Sequence, residues 1–252
     1  MMRRQPLHIH ISTLFIALII TVGSIIGGLG YKISRDILES SARELNARIS
    51  RETSDEFNMI IGPAEMATRL ISHSTIVDAK SLGERLRRTA FMREALTNSP
   101  TLTSIYVGYG NGDFFMLRRL WNDADRQIFS APAGTTYLVE SIDRHGGQRR
   151  GRYIYLDERL ATLHSVERPD YAANFDPRTR NWYQLALHSA GQIKTPPYLF
   201  FSTLQIGTTL ANRVGQSGAV VGVDIRLETL SRLLAQQKVT PGTQIALVNE
   251  EG

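Results

Sequence analysis

"LTSIYVGYGNGDFFMLRRL" occupies residues 102–120. Two runs rich in β-branched and aromatic residues flank Asn111-Gly112, and Asn-Gly is a favoured two-residue hairpin turn in which both central positions take positive φ. The stretch predicts a pair of antiparallel strands. The series Gly108, Gly110, Gly112 has the look of a phosphate loop, but no helical pattern follows it, and the turn accounts for the glycines. Outward from this hairpin, further strands are predicted at 136–143, 151–157, 199–214 and 218–225, with 215–218 as the last turn. A helical pattern precedes them at 81–95. Another follows at 227–237, where Leu227, Leu230, Leu233 and Leu234 share a face. The fold class predicted is α+β, an antiparallel sheet with its helices on one side.

The N-terminal third obeys a different rule. Residues 11–31, "ISTLFIALIITVGSIIGGLGY", carry no charge over 21 positions, and at about 1.5 Å per residue they span a hydrocarbon core of about 30 Å. A cleavable signal peptide would have a shorter apolar region and a small-residue cleavage site after it. Neither holds here, so an uncleaved transmembrane signal anchor is the reading favoured. Gly23 and Gly27 form a GxxxG pair that would let two such helices approach closely, which makes a homodimer the expected assembly. From 32 to about 75 the pattern is that of one long amphipathic helix, with apolar residues at Ile33, Ile37, Leu45, Ile49, Ile60, Ile61, Ala64, Ala67 and Ile71. Gly62-Pro63 predicts a bend or a break in it. Lys and Arg flank the anchor on both sides, so charge alone leaves its orientation open.

The net charge is +5 and the pI about 9.6. Part of this is the basic cluster "DRHGGQRRGR" (143–152), read as a solvated loop because no aromatic residues interleave with the charges; no nucleic-acid partner is assigned. There are no cysteines. HExxH, GxSxG and clustered metal ligands are likewise missing from the sequence, so no catalytic residue, cofactor or metal is assigned, and an enzyme is the weaker reading. Residues 239–252, a Pro-Gly break, a strand-like run and a Gly, read as the start of a second module.

One segment carries the functional expectation. In "FDPRTRNWYQLA" (175–186), Asp176 suits a helix cap and Pro177 its first position, with the helix running to about Ser189. Arg180 and Trp182 lie 200° apart on an ideal helix, so they share a face only if Arg180 sits in an irregular first turn. This segment, with Tyr198 fifteen residues after Tyr183 and the strand "GAVVGVDI" (218–225), resembles the membrane-distal half of double Cache (PDC-like) sensor domains. Those domains are the extracytoplasmic parts of bacterial chemoreceptors, sensor kinases and cyclase receptors. The resemblance follows the whole chain in order. It implies a Cache/PDC-like, PAS-like sheet and a division into a cytoplasmic tail (1–10), an anchor (11–31), a long helix (32–75), a membrane-distal module (76–238) and the start of a second module (239–252). It also places residues 32–252 in the periplasm, beyond the inner membrane.

In the site that the resemblance implies, Arg180 binds a ligand carboxylate, Trp182 and Tyr183 supply an aromatic wall and a hydroxyl, Tyr198 joins them, and Asp224 receives a ligand ammonium. Two positions depart from the family pattern. Phe175 replaces a Tyr, and Phe200 stands where amine-binding members have Asp. The ligand expected is thus a small molecule, an amino acid or another carboxylate, rather than a simple amine. Other roles stay open for the same residues: Asp224 as cap of a helix starting near Ile225, Trp182 as core, Arg180 paired with Asp176. A membrane-anchored structural adaptor without ligand is the alternative function.

Overall fold

The structure is a computed structural model and describes residues 7–145, 147–228 and 231. Two compact units are present, one ending at Asp55 and one beginning at Glu56. Helix α1 (Leu7–Ser72) contributes to both. In the first unit the side chains from Ile11 to Leu29 are exposed, Leu14 and Ile26 among them. This part of α1 is long and apolar enough to cross a membrane. Beyond it the helix surface is charged and carries exposed i,i+4 pairs, Arg35–Glu39 at 2.8 Å and Arg48–Glu52 at 2.8 Å, which support the helix only weakly because water screens them.

Anchor and long helix are therefore one element, and Pro63 does not interrupt it. Proline removes one intrahelical hydrogen bond and strains the preceding turn. The turns around it compensate by burial: Ile60, Ile61, Ala64, Ala67 and Ile71 all lie in the core of the second unit. Tertiary packing, rather than local propensity, holds the helix through this point.

The second unit is a nine-stranded antiparallel sheet in the order β5-β4-β3-β2-β1-β9-β8-β6, with β7 paired to β8. Its strands are β1 (Leu102–Gly108), β2 (Phe114–Arg119), β3 (Tyr137–His145), β4 (Gln148–Leu156), β5 (Thr162–Glu167), β6 (Ile193–Lys194), β7 (Tyr198–Leu199), β8 (Ile206–Val214) and β9 (Ala219–Arg226). Alternation along each strand sorts side chains to two faces. Ile105, Val107, Phe115, Leu117, Val221 and Val223 meet the end of α1 together with α2 (Leu82–Arg87) and α3 (Ala90–Asn98). Tyr106, Phe114, Met116, Leu138 and Val220 meet a second layer that includes α5 (Pro169–Asn174) and α6 (Asn181–Leu187). Helices thus cover both faces, not the one side expected from the order of elements.

Several local expectations need correction. The β1–β2 connection is a longer turn, with the Gly112 amide donating to the Tyr109 carbonyl, and only Gly112 has positive φ, at 87°. The helix expected at 81–95 is split. Its apolar spacing is unbroken, but the Thr89 hydroxyl donates to the Leu86 carbonyl and ends the first segment. The basic cluster 143–152 is largely paired strand rather than loop, His145 facing Gln148. The 199–214 run folds back on itself, so that β7 pairs with β8 through Tyr198–Gly207 and Leu199–Ile206. Edge strand β5 lacks an apolar pattern because its side chains are almost all exposed. Most of the helix predicted at 227–237, and all of 239–252, lie outside the described residues.

One buried ion pair ties the α2 segment to the β1–β2 turn. Arg85 and Asp113 are 2.7 Å apart, each almost wholly buried, with the guanidinium over the Tyr109 ring at 4.1 Å. Removing one partner strands the other charge in the core. Asp113→Ala is expected to lower stability by about 3–5 kcal/mol in urea denaturation monitored by tryptophan fluorescence; a loss below 1 kcal/mol would mean that the pair is solvated.

Candidate functional site

The sheet register builds the floor of the site. Thr209 on β8 faces Asp224 on β9, Asp224 faces Ser104 on β1, and Ser104 faces Arg118 on β2. One pleat along runs a second row: Gly222, Tyr106, Met116, Glu140, Tyr153. Both rows lie on the α6 side of the sheet, because residues two apart share a face. The apolar neighbours in between, Ile105, Leu117 and Val223, point to the α1 side.

Asp224 is buried, and its carboxylate is held by hydroxyls. Oδ1 accepts from Tyr106 at 2.7 Å and from Thr209 at 2.6 Å, and Oδ2 accepts from Ser104 at 2.8 Å. The Thr209 proton is committed to Asp224, so the 2.7 Å contact between Tyr198 and Thr209 has Tyr198 as donor. Burial raises the Asp224 pKa above the ordinary carboxylate value; the hydroxyl donors and the Arg118 charge only partly oppose it. Gly222 makes this network possible. A Cβ there would lie 2.2 Å from the Tyr106 ring, the ring that delivers a hydroxyl to Asp224.

The segment 175–186 forms the opposite wall. Asp176 caps a 3₁₀ turn at Pro177–Thr179, accepting from the Arg178 amide at 2.9 Å. α6 then starts at Asn181 with Arg180 as its N-cap, in extended conformation (φ −81°, ψ 143°). The irregular turn needed for Arg180 and Trp182 to face the same space is thus present. The segment lies close on the sheet, with Pro177 and Trp182 against Gly108, where an added Cβ would approach them to 2.9 and 2.8 Å.

Tyr106, Trp182, Phe175, Tyr198, Arg180 and Asp224 line one cavity with Phe114, Met116, Arg118, Tyr171, Phe200, Phe201 and Ser202. Its volume is about 20 Å³, room for roughly one water molecule. Arg180 is half-buried there, its Cζ 5.7 Å from the Phe175 ring and 5.5 Å from the Phe201 ring. Among the described residues it makes no ion pair. The pairing with Asp176 does not form, because Arg178 takes that carboxylate at 2.7 Å. Asp224 caps no helix; it lies inside β9. Trp182 is both core and wall, packed on Tyr106 at 4.8 Å. Tyr183 is the member of the expected set that lies elsewhere: its hydroxyl donates to the Gly218 carbonyl, away from the cavity.

Several residues were not anticipated. Arg118 and Glu140, both almost wholly buried, pair at 3.0 Å, and the Ser202 hydroxyl donates to the same carboxylate. Tyr171 stacks on Phe175 at 5.3 Å. The available signal was phase. Arg118 is two residues from Met116 in an apolar run, and Glu140 is two from Leu138, so each falls on a buried face. Opposite charges in phase on neighbouring strands mark a buried pair.

No protein-family model matches the chain. Adenylate cyclase 1 of Rhizobium meliloti (strain 1021) is 28% identical over 229 residues, 89% of this chain and 34% of that protein. Methyl-accepting chemotaxis protein McpB of Bacillus subtilis (strain 168) is 25% identical over 205 residues, 81% of this chain and 25% of that protein. Methyl-accepting chemotaxis protein PscA of Pseudomonas syringae pv. tomato is 31% identical over 101 residues, 39% of this chain and 16% of that protein. The chain spans about a third or less of the length of these relatives. Among solved structures, the ligand-binding domain of the Pseudomonas fluorescens chemoreceptor CtaA, in complex with L-alanine, is 20% identical and covers 76% of this chain and 63% of that one, with a TM-score of 0.47. The chain is a long N-terminal helix followed by an antiparallel sheet flanked by helices, and these sequence relatives are methyl-accepting chemotaxis proteins and an adenylate cyclase.

Two outcomes test the floor of the site. Gly222→Ala forces the Tyr106 ring to move, and thermal denaturation should show a loss of about 1–3 kcal/mol; an unchanged Tm would mean that the ring is loosely held. The raised Asp224 pKa has a definite sign. The folded state binds this proton more tightly than the unfolded chain, so the residue's contribution to stability declines as pH rises through the carboxylate range. Asp224→Asn should flatten that decline in urea midpoints taken across the range, whereas a slope identical to wild type would place the titration elsewhere.

Proposed function

We propose that the chain is the membrane-anchored, extracytoplasmic sensing region of a bacterial signal-transduction receptor, and that the cavity binds a small molecule with a carboxylate and an ammonium group, an amino acid. The observation that carries this reading is one cavity lined by a guanidinium that makes no ion pair among the described residues, Arg180, and a buried carboxylate, Asp224. A guanidinium offers paired donors to a carboxylate. Asp224 accepts three hydroxyl protons, which leaves about one lone-pair direction for a ligand N–H. Trp182, Phe175 and Tyr198 supply the aromatic surround. This is binding chemistry; the relatives, chemotaxis proteins and a cyclase far longer than this chain, support a sensing role whose output lies in other parts of such receptors.

A cavity of about 20 Å³ does not admit an amino acid without rearrangement. The loop between β7 and β8 is the element that covers it. It is closed by Phe200 N–H to Gln205 O and Leu204 N–H to Phe200 O, both at 2.9 Å, and latched by Ser202 to Glu140. Ligand entry shifts Phe201 and Ser202, and the ligand's differential affinity for the two arrangements sets the size of the response. In this reading, residues 11–31 cross the inner membrane, residues 1–10 are cytoplasmic and residues 32–252 periplasmic, and two copies associate through Gly23 and Gly27. The last turns of α1 pack in the sensor core, so the same helix carries the change toward the bilayer.

Calorimetric titration of the full chain in detergent with a panel of L-amino acids tests the assignment. Arg180→Lys should weaken binding by about 1–3 kcal/mol, since a point charge replaces a two-pronged donor. Equal affinity in the two proteins would remove Arg180 from the site.

A further inference from the structure

The deep end of the cavity is richer in donors than the protein itself uses. Arg118 lines it and is almost wholly buried. Its Nε donates to Glu140 at 3.0 Å, while Nη2 meets only the thioether of Met116 at 3.2 Å, a weak acceptor. A guanidinium has five N–H donors, and among the described residues no strong acceptor other than Glu140 engages this one. Beside it, the Tyr171 hydroxyl is buried and, among the described residues, makes no hydrogen bond of good geometry. Ser202 is close enough to affect its ionisation, but the serine hydroxyl is turned to Glu140. Burial, then the Glu140 charge, pushes the Tyr171 pKa well above the ordinary phenol value, so the group remains a donor. A buried hydroxyl left unpaired costs about 1–3 kcal/mol, and a cavity-lining one is paired when an acceptor enters.

Resting on the ligand reading above, we propose that the cavity selects amino acids whose side chain ends in an accepting oxygen, a carboxylate or carboxamide, received by Arg118 and the Tyr171 hydroxyl. Arg180 and Asp224 hold the α-carboxylate and α-ammonium, which all amino acids share. Arg118 and Tyr171 then decide among side chains. Specificity of this kind is steep, because an aliphatic side chain leaves both donors buried and unpaired. Phe114, Met116 and Phe129, near the Arg118 guanidinium, offer no competing acceptor of comparable strength.

The experiment is calorimetric titration of the full chain in detergent with L-aspartate, L-asparagine, L-alanine and L-isoleucine, on wild type and Tyr171→Phe. L-Aspartate or L-asparagine is expected to bind at least tenfold more tightly than L-alanine or L-isoleucine. Tyr171→Phe should shrink that preference about tenfold, weakening L-aspartate or L-asparagine far more than L-alanine. It removes an unpaired hydroxyl, so its Tm should equal or exceed that of wild type, which separates the effect from misfolding. Tighter binding of L-alanine or L-isoleucine, or an equal loss for every ligand in the variant, overturns the selectivity while the amino-acid reading stands. If none of the four binds, the amino-acid reading falls and the selectivity with it.

Discussion

The structure depends on a carboxylate buried inside the sheet. Asp224 sits in the middle of β9, between β1 and β8, and ionised it would be costly to bury alone. Three hydroxyls from the two flanking strands, Ser104 and Tyr106 on β1 and Thr209 on β8, surround it. Each arrives only because the strands are in register, Ser104 and Thr209 directly opposite and Tyr106 one pleat along over Gly222. A slip by one residue would turn Asp224 toward the α1 side, among Ile105, Val107 and Val223. Burying this group therefore specifies the pairing of the central strands as well as the chemistry of the floor.

The roof follows from the same geometry. The Arg-x-Trp-Tyr segment lies against Gly108, where the sheet has no side chain. The 3₁₀ turn brings Arg180 onto the Phe175 and Phe201 rings, while Trp182 packs on Tyr106. Cation-bearing and anion-bearing walls are thus carried by independent elements, a helix start and a strand. The short loop between β7 and β8 brings Phe200, Phe201 and Ser202 to the same cavity, with the Ser202 hydroxyl donating to Glu140.

The legible parts of the fold were those with a strong periodic signal. The apolar run at 11–31, the amphipathic continuation to Ser72, and the alternating strands at 102–120 and 218–225 each state their element in local sequence. Parts that failed locally failed for identifiable reasons. Pro63 reads as a break, yet the buried face around it keeps α1 whole. The cluster 143–152 reads as loop, yet strand pairing with few apolar side chains needs only backbone hydrogen bonds. Edge strand β5 has one exposed flank and no alternation to display.

For the site, the sequence by itself determined the kinds of group available: a guanidinium and two aromatics at 180–183, a tyrosine at 198, a carboxylate closing a strand. It also carried the irregular turn, through Asp176-Pro177. Tertiary structure alone decided which of these share a space. Tyr183 turns to the Gly218 carbonyl, while Arg118 and Tyr171, unremarkable in their own segments, both reach the cavity, with Glu140 paired to Arg118 behind it. The physical reason is that period and capping are properties of neighbours in the chain, whereas a cavity is made by residues separated by dozens of positions, and strand register, set by burial across the whole sheet, brings them together.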